Sequence, residues 1–151
     1  MRIVRTISML LLLCALTISS KAQSPTQNYV MSKEVLDVDG THAITTVTYY
    51  DGLGYPVETA TNGLGGTGKY AYALLEHDAL GREKQSWLPG TQKDGCSFVA
   101  PSELSSSLIT FHKDRNPYSV NRYDALDRQV STLGAGESWF TAKKFVEQRY
   151  C

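Results

Sequence analysis

Tyr50-Asp51-Gly52-Leu53-Gly54-Tyr55-Pro56-Val57 is the stretch that decides the fold, because the chain writes it three times. The second copy is His77-Asp78-Ala79-Leu80-Gly81-Arg82-Glu83-Lys84, and the third is Tyr123-Asp124-Ala125-Leu126-Asp127-Arg128-Gln129-Val130. Each runs aromatic, Asp, small residue, Leu, then Gly or Asp, then Tyr or Arg. A recurring phrase of this kind marks a repeated structural unit. Asp accepts hydrogen bonds from backbone N–H groups two positions on, which stabilises a tight reversal. Gly, or an Asp that tolerates positive φ, supplies the left-handed position such a turn needs. Leu at the centre predicts a turn tip tucked against a neighbouring layer, and an Arg stacked over the Tyr ring would staple the hairpin.

Working outward, the flanks read as strands. Thr45, Val47 and Tyr49 alternate with Thr46, Thr48 and Tyr50, all residue types that suit a pleated surface. Val57, Thr59 and Thr61 follow the first turn in period two. Tyr70 and Tyr72 precede the second, and Trp87-Leu88-Pro89-Gly90 closes the strand after it. Arg128 to Leu133 follows the third turn, Gly134-Ala135-Gly136 breaks it, and 145–150 is a last strand. One segment departs from this pattern. After Pro101-Ser102-Glu103, the residues Leu104, Leu108 and Phe111 fall at helical spacing, with Ser102 as a cap and Asn116-Pro117 as the stop. The chain is therefore read as mainly β: antiparallel strand-turn units forming a curved sheet, with one short helix near 102–113.

The N-terminus is a different kind of segment. Arg2 and Arg5 precede an apolar run from Ile7 to Ile18, and Ser20-Lys21-Ala22 forms a small-x-small site before Gln23. That layout is a secretory signal peptide over 1–22 with cleavage after Ala22. Leu13 before Cys14 does not suit lipid attachment. The organisation follows as leader 1–22, an extended segment 23–42, and a β domain 43–150. Losing Arg2, Arg5 and Lys21 takes a chain of formal net charge +0 to about −3. Such a surface does not attract a phosphate backbone, so no nucleic acid is expected, nor any membrane span in the mature chain. Cys96 and Cys151 survive processing, and whether they pair is left open.

Several constellations imitate chemistry. Gly63-Leu64-Gly65-Gly66-Thr67-Gly68-Lys69-Tyr70 has the dinucleotide-fingerprint spacing and all but the last position of a phosphate-binding loop. Tyr70 stands where Mg²⁺ binding needs Ser or Thr, and Tyr70-Ala71-Tyr72 reads as strand where a helix should open, so the stretch is read as a hairpin loop. His42, His77 and His112 show no metal spacing, and His77 fills the aromatic slot of its repeat. A Cys96–His112 nucleophile pair lacks any flanking signature. Asp51, Asp78 and Asp124 could be glycosidase carboxylates, but their identical place in a repeated turn assigns them to structure. Tyr70, Tyr72 and Trp87 serve either packing or a ligand-facing surface that stacks sugar rings, and both readings stand at this stage. No catalytic, cofactor or metal residue is expected.

The turn phrases resemble the YD repeat of rearrangement-hotspot (RHS) proteins. The wider order is the leader, Asn28-Tyr29-Val30, the Tyr50 phrase, the Asp78 phrase, Trp87-Leu88-Pro89, Pro117-Tyr118 and the Arg128 copy. It is similar to the N-terminal portion of the RHS/YD-repeat secreted proteins of Bacteroidetes, over residues 28–150. Tyr55 departs from that family's usual Arg and Asp127 from its usual Gly, which predicts less regular turns at both. The resemblance implies a β-wall that winds around and sequesters a polypeptide, and a chain truncated before the family's self-cleaving core and toxin domain. The expected partners are then protein: further RHS repeats, a separate chain or a second copy. Two readings compete. One is a cell-surface module binding glycan or protein through its Tyr and Trp face, and the other is a gene fragment without function.

Overall fold

The computed structural model describes residues 26–62 and 68–150. Nine strands form one sheet: β1 (Asn28–Val35), β2 (Ala43–Tyr50), β3 (Pro56–Asn62), β4 (Tyr70–His77), β5 (Glu83–Trp87), β6 (Gly90–Lys93), β7 (Tyr118–Tyr123), β8 (Gln129–Leu133) and β9 (Phe145–Glu147). Eight lie in the order β1-β2-β3-β4-β5-β7-β8-β9, every pairing is antiparallel, and β6 joins β4 off this path. The architecture is an open, mainly β sheet. Within the segment expected to be merely extended, β1 pairs with β2 along its whole length, from Asn28↔Tyr50 to Val35↔Ala43. A boundary at residue 43 therefore falls between two bonded strands.

The core sits on one face of β2, β3 and β4. Register sets Tyr49 beside Glu58 and Glu58 beside Leu74, and in the next row Val47, Ala60 and Tyr72. All six are 0–1% exposed. Because side chains alternate across a strand, the opposite set in β3 (Val57, Thr59 and Thr61) is only half-buried. Phe98 and the chain after β6 cover this face, followed by helix α1 (Pro101–His112).

Helix α1 starts differently from the sequence expectation. Ala100 is the N-cap and Pro101 the first helical residue, where a missing N–H costs nothing. Ser102 does not cap; its carbonyl accepts the Ser105 and Ser106 hydroxyls. Leu104 and Leu108 are fully buried, whereas Phe111 is 49% exposed at the edge of the contact. The helix lies close on β6: a Cβ at Gly90 would stand 2.8 Å from Leu108 and 3.0 Å from Phe111.

β5 and β6 share one edge of β4, pairing with its two halves. Between them Trp87, Leu88 and Pro89 break the ladder, since Trp87 pairs with Tyr118 of β7 and the Leu88 N–H donates to Pro117. A second helix, α2 (Glu137–Ala142), follows the Gly134-Ala135-Gly136 break. Six residues are too few to show helical periodicity, so nothing in the sequence announced it. Asp114 anchors it, accepting the Glu137 and Asn116 N–H groups, and those bonds hold its carboxyl below the usual aspartate range. Among the described residues, no helix is long and apolar enough to cross a membrane.

Candidate functional site

The three repeated phrases fold into three turns with the same bonds, joining β2 to β3, β4 to β5 and β7 to β8. In the first, Asp51 Oδ1 accepts the N–H groups of Leu53 and Tyr55, both at 2.9 Å. Asp78 Oδ1 accepts those of Leu80 and Arg82 at 2.9 and 3.0 Å. Asp124 Oδ1 accepts those of Leu126 and Arg128 at 2.8 and 3.0 Å. Each Asp N–H also donates, at 2.9 Å, to the carbonyl four residues on. The left-handed position is Gly54 (φ 87°), Gly81 (φ 78°) and Asp127 (φ 60°). Tyr55 and Asp127 therefore do not loosen their turns; the Asp carboxylate sets the frame, and it is present in all three. The leucines correct a different expectation. Leu53, Leu80 and Leu126 are 84, 67 and 72% exposed, so the tips project outward. The Asp bonds hold the turn without help from a buried leucine.

The residue four places after each Asp braces the next unit as well as its own turn. Arg82 pairs with Asp78 Oδ2 through Nε (2.8 Å) and Nη2 (2.7 Å), and its Nη1 reaches Asp127 Oδ1 at 2.6 Å. Its guanidinium lies 4.7 Å from the Tyr123 ring centroid, so the stack links two units and does not staple one hairpin. Arg128 repeats this with Asp124 Oδ2 and the Tyr150 ring, also at 4.7 Å. The tyrosine hydroxyls complete the pattern: Tyr123 donates to Glu83 O at 2.8 Å and Tyr150 to Gln129 O at 3.0 Å. In the first unit Tyr55 replaces Arg, stacks on His77 at 5.3 Å, and places its ring tip over Gly81, where a Cβ would be 2.2 Å from Cζ. The two departures thus make sense across the units: Tyr55 faces a Gly, and Arg82 faces Asp127. The Arg82 hydrogen bonds hold Asp78 below the usual carboxylate range, and the Arg128 bonds do the same for Asp124.

Tyr72 and Trp87 correct the idea of an exposed aromatic face. Tyr72 is 1% and Trp87 7% exposed; Tyr70 is half-buried against the same core. Their polar tips are engaged internally. Tyr72 donates to Gly95 O and Ser97 O (2.8 and 3.0 Å), Tyr49 to Cys96 O (2.6 Å), and Trp87 Nε1 to Glu76 Oε1 (3.0 Å). Burial pushes the Tyr49 phenol up to about 12 and raises Tyr72 also, so both stay donors. Between them Glu58, 0% exposed, accepts the Val99 N–H at 3.1 and 3.3 Å. These three side chains clasp residues 95–99 to the sheet. Sequence reasoning missed Glu58: one acid in a Thr-rich strand reads as solvent-facing, and only its register beside Tyr49 and Leu74 places it inside.

The remaining candidates are dispersed. His77 stacks on Tyr55, His112 Nε2 lies 3.3 Å from Leu88 O, and exposed His42 pairs with Asp37 at 2.7 Å. Hydrogen bonds from Thr41 and then His42 bring Asp37 down to about 2. Among the described residues no group of three His, Cys, Asp or Glu could hold a metal. Cys96 is buried, while Cys151, the leader and Gly63–Thr67 of the glycine-rich loop lie outside the described residues.

A concavity is associated with the turns. A groove of about 540 Å³ runs between the first and second, lined by residues including Asp51, Leu53, Tyr55, His77, Asp78 and Leu80. Asp124 does not line it, so the three turn aspartates do not converge. No curated protein and no solved structure matches the chain. A family model described as a domain of unknown function (DUF6443) matches residues 19–151. With a match over most of its length, the chain belongs to the DUF6443 family.

Proposed function

We propose that this chain is a non-enzymatic structural module of an exported RHS/YD-repeat protein, contributing to a β-shell or interaction surface. One observation carries the reading. The polar groups of the repeated phrase bond to their own turn or to the neighbouring one: each Asp Oδ1 to two backbone N–H groups, each Arg to its own Asp and to an aromatic ring of the next unit. Groups engaged in this way brace a wall laterally, as in arrays whose units contact mainly their neighbours. The end strands suit such a module. β1 is exposed throughout, with Val30, Met31 and Val35 open to solvent, and an edge of this kind pairs readily with another strand. Its partners are accordingly protein: further repeats, in this chain or another, or a second copy. The leader pattern supports export, so the mature chain is secreted or held at the cell envelope.

The test has two arms. The genomic reading frame downstream is translated, and the expressed protein is fractionated and its N-terminus sequenced. YD phrases continuing in frame, with an exported product beginning at Gln23, support the module. An intergenic gap with its own terminator, or a product retained in the cytoplasm with its leader intact, refutes it.

A further inference from the structure

We propose that the groove between the first and second turns is a docking site for an arginine side chain of a partner polypeptide. The molecule supplies its own comparison. At the second and third turns a guanidinium sits on Asp Oδ2, contributed by Arg82 and Arg128 through Nε and Nη2 at 2.7–2.8 Å. The first turn has the same frame, and Asp51 Oδ1 is engaged in the same way. Position 55 is Tyr, however, and among the described residues Asp51 has no ion-pair partner. The first turn therefore presents to solvent the carboxylate oxygen that its two counterparts present to arginine.

The surroundings fit the rest of such a side chain. The carboxylate lines a groove whose size lies within the range of sites that bind small groups. The exposed Leu53 and Leu80 both line it, apolar surface on which the methylene stem of an arginine can lie. The Tyr55–His77 stack adds aromatic surface of the kind that attracts a guanidinium. The charge is one-sided. Asp51, Glu76 and Asp78 contribute to the lining, and among the described residues no Lys or Arg does. Asp78 is already neutralised by Arg82, and Glu76 Oε1 is engaged by the Trp87 indole N–H, which leaves Asp51 as the carboxylate for the incoming cation. Planar, two-pronged pairing with a carboxylate favours guanidinium over ammonium. The occupant is thus an arginine flanked by apolar residues, carried on a segment of another chain. This site does not depend on the export or shell reading.

The probe is the peptide N-acetyl-Leu-Arg-Leu-amide, titrated into the ¹⁵N-labelled chain, with the citrulline peptide as its uncharged isostere. Saturable shifts at Leu53, Tyr55, Leu80 and Gly81, and at least about tenfold weaker binding of the citrulline peptide, are expected for a charge-assisted pair. D51N keeps the Oδ1 acceptor of the turn and removes the charge; it should weaken binding by a similar factor. Y55R supplies Asp51 with the arginine that the other turns carry and should abolish binding while the chain stays folded. Equal binding of the two peptides, unchanged binding by D51N, or shifts that miss the groove would overturn the proposal.

Discussion

Gly54 and Gly81 occupy the same left-handed position of equivalent turns, yet the structure predicts different outcomes when each becomes alanine. At Gly54 (φ 87°) an added Cβ meets nothing within 4 Å, so Gly54→Ala carries only the left-handed penalty, about 1–2 kcal/mol. At Gly81 (φ 78°) the same penalty applies, and the Cβ would also stand 2.2–2.8 Å from Cζ, Oη and Cε1 of Tyr55. Those atoms are the far end of a side chain, so the ring swings away and the backbone need not rebuild. What is then lost is the Tyr55–His77 stack, worth about 0.5–1.5 kcal/mol for an aromatic pair. Gly81→Ala should therefore cost about 1.5–3.5 kcal/mol, and the excess over Gly54→Ala should vanish in a Tyr55→Ala background. Urea titration of the wild type, the single variants and the double variants, followed by Trp fluorescence, measures this coupling. Equal midpoints for Gly54→Ala and Gly81→Ala in the wild-type background, or an excess that survives removal of the Tyr55 ring, would refute the reasoning.

Three further outcomes follow from the same structure. Leu108→Ala, in a fully buried contact with β6, should destabilise by about 2–5 kcal/mol in thermal or urea unfolding, whereas Phe111→Ala at the exposed edge of the helix should cost well under half of that. Tyr72→Phe removes the hydroxyl that bonds Gly95 and Ser97; stability should fall by about 0.5–1.5 kcal/mol, and amide exchange should accelerate over 95–99 while the turns stay protected. Asp37, Asp78 and Asp124 are all held below the ordinary aspartate range, Asp37 at about 2, so the unfolded chain takes up their protons first as pH falls. Their contribution is fully present above about pH 5 and is lost as pH falls below about 4, for Asp37 down to about 2; urea midpoints should fall with pH in that range, and Asp78→Asn should reduce the acid loss.

The legible parts of the sequence were those settled within a few residues. Asp51, Asp78 and Asp124 specify their turns through bonds to groups two and four positions on, so the phrase alone located all three reversals and most strands. Leu104 and Leu108 located α1 in the same way, although Ser102 was a misleading cap because Pro101 starts the helix one residue earlier. What local reading missed depends on register. Glu58 looked like a surface acid until β2 and β4 were placed on either side of it. Tyr72 and Trp87 looked available to a ligand until residues 95–99 and β7 covered them. The leucines misled in the opposite sense, because apolar character suggested burial at tips that the Asp bonds hold outward. The groove was equally hidden, since it exists only where the Tyr55 turn stands beside the Asp78 turn.

The reach of Tyr55 over Gly81, and of Arg82 to Asp127, has a bearing on how such a chain can change. A unit is not a free-standing cassette, because its sixth letter is matched to the fifth letter of the following one. Transplanting a whole phrase would carry one half of two different matches and leave both incomplete. Recombination or design that respects the molecule would move Tyr with Gly, or Arg with Asp, as couples straddling the seam between units.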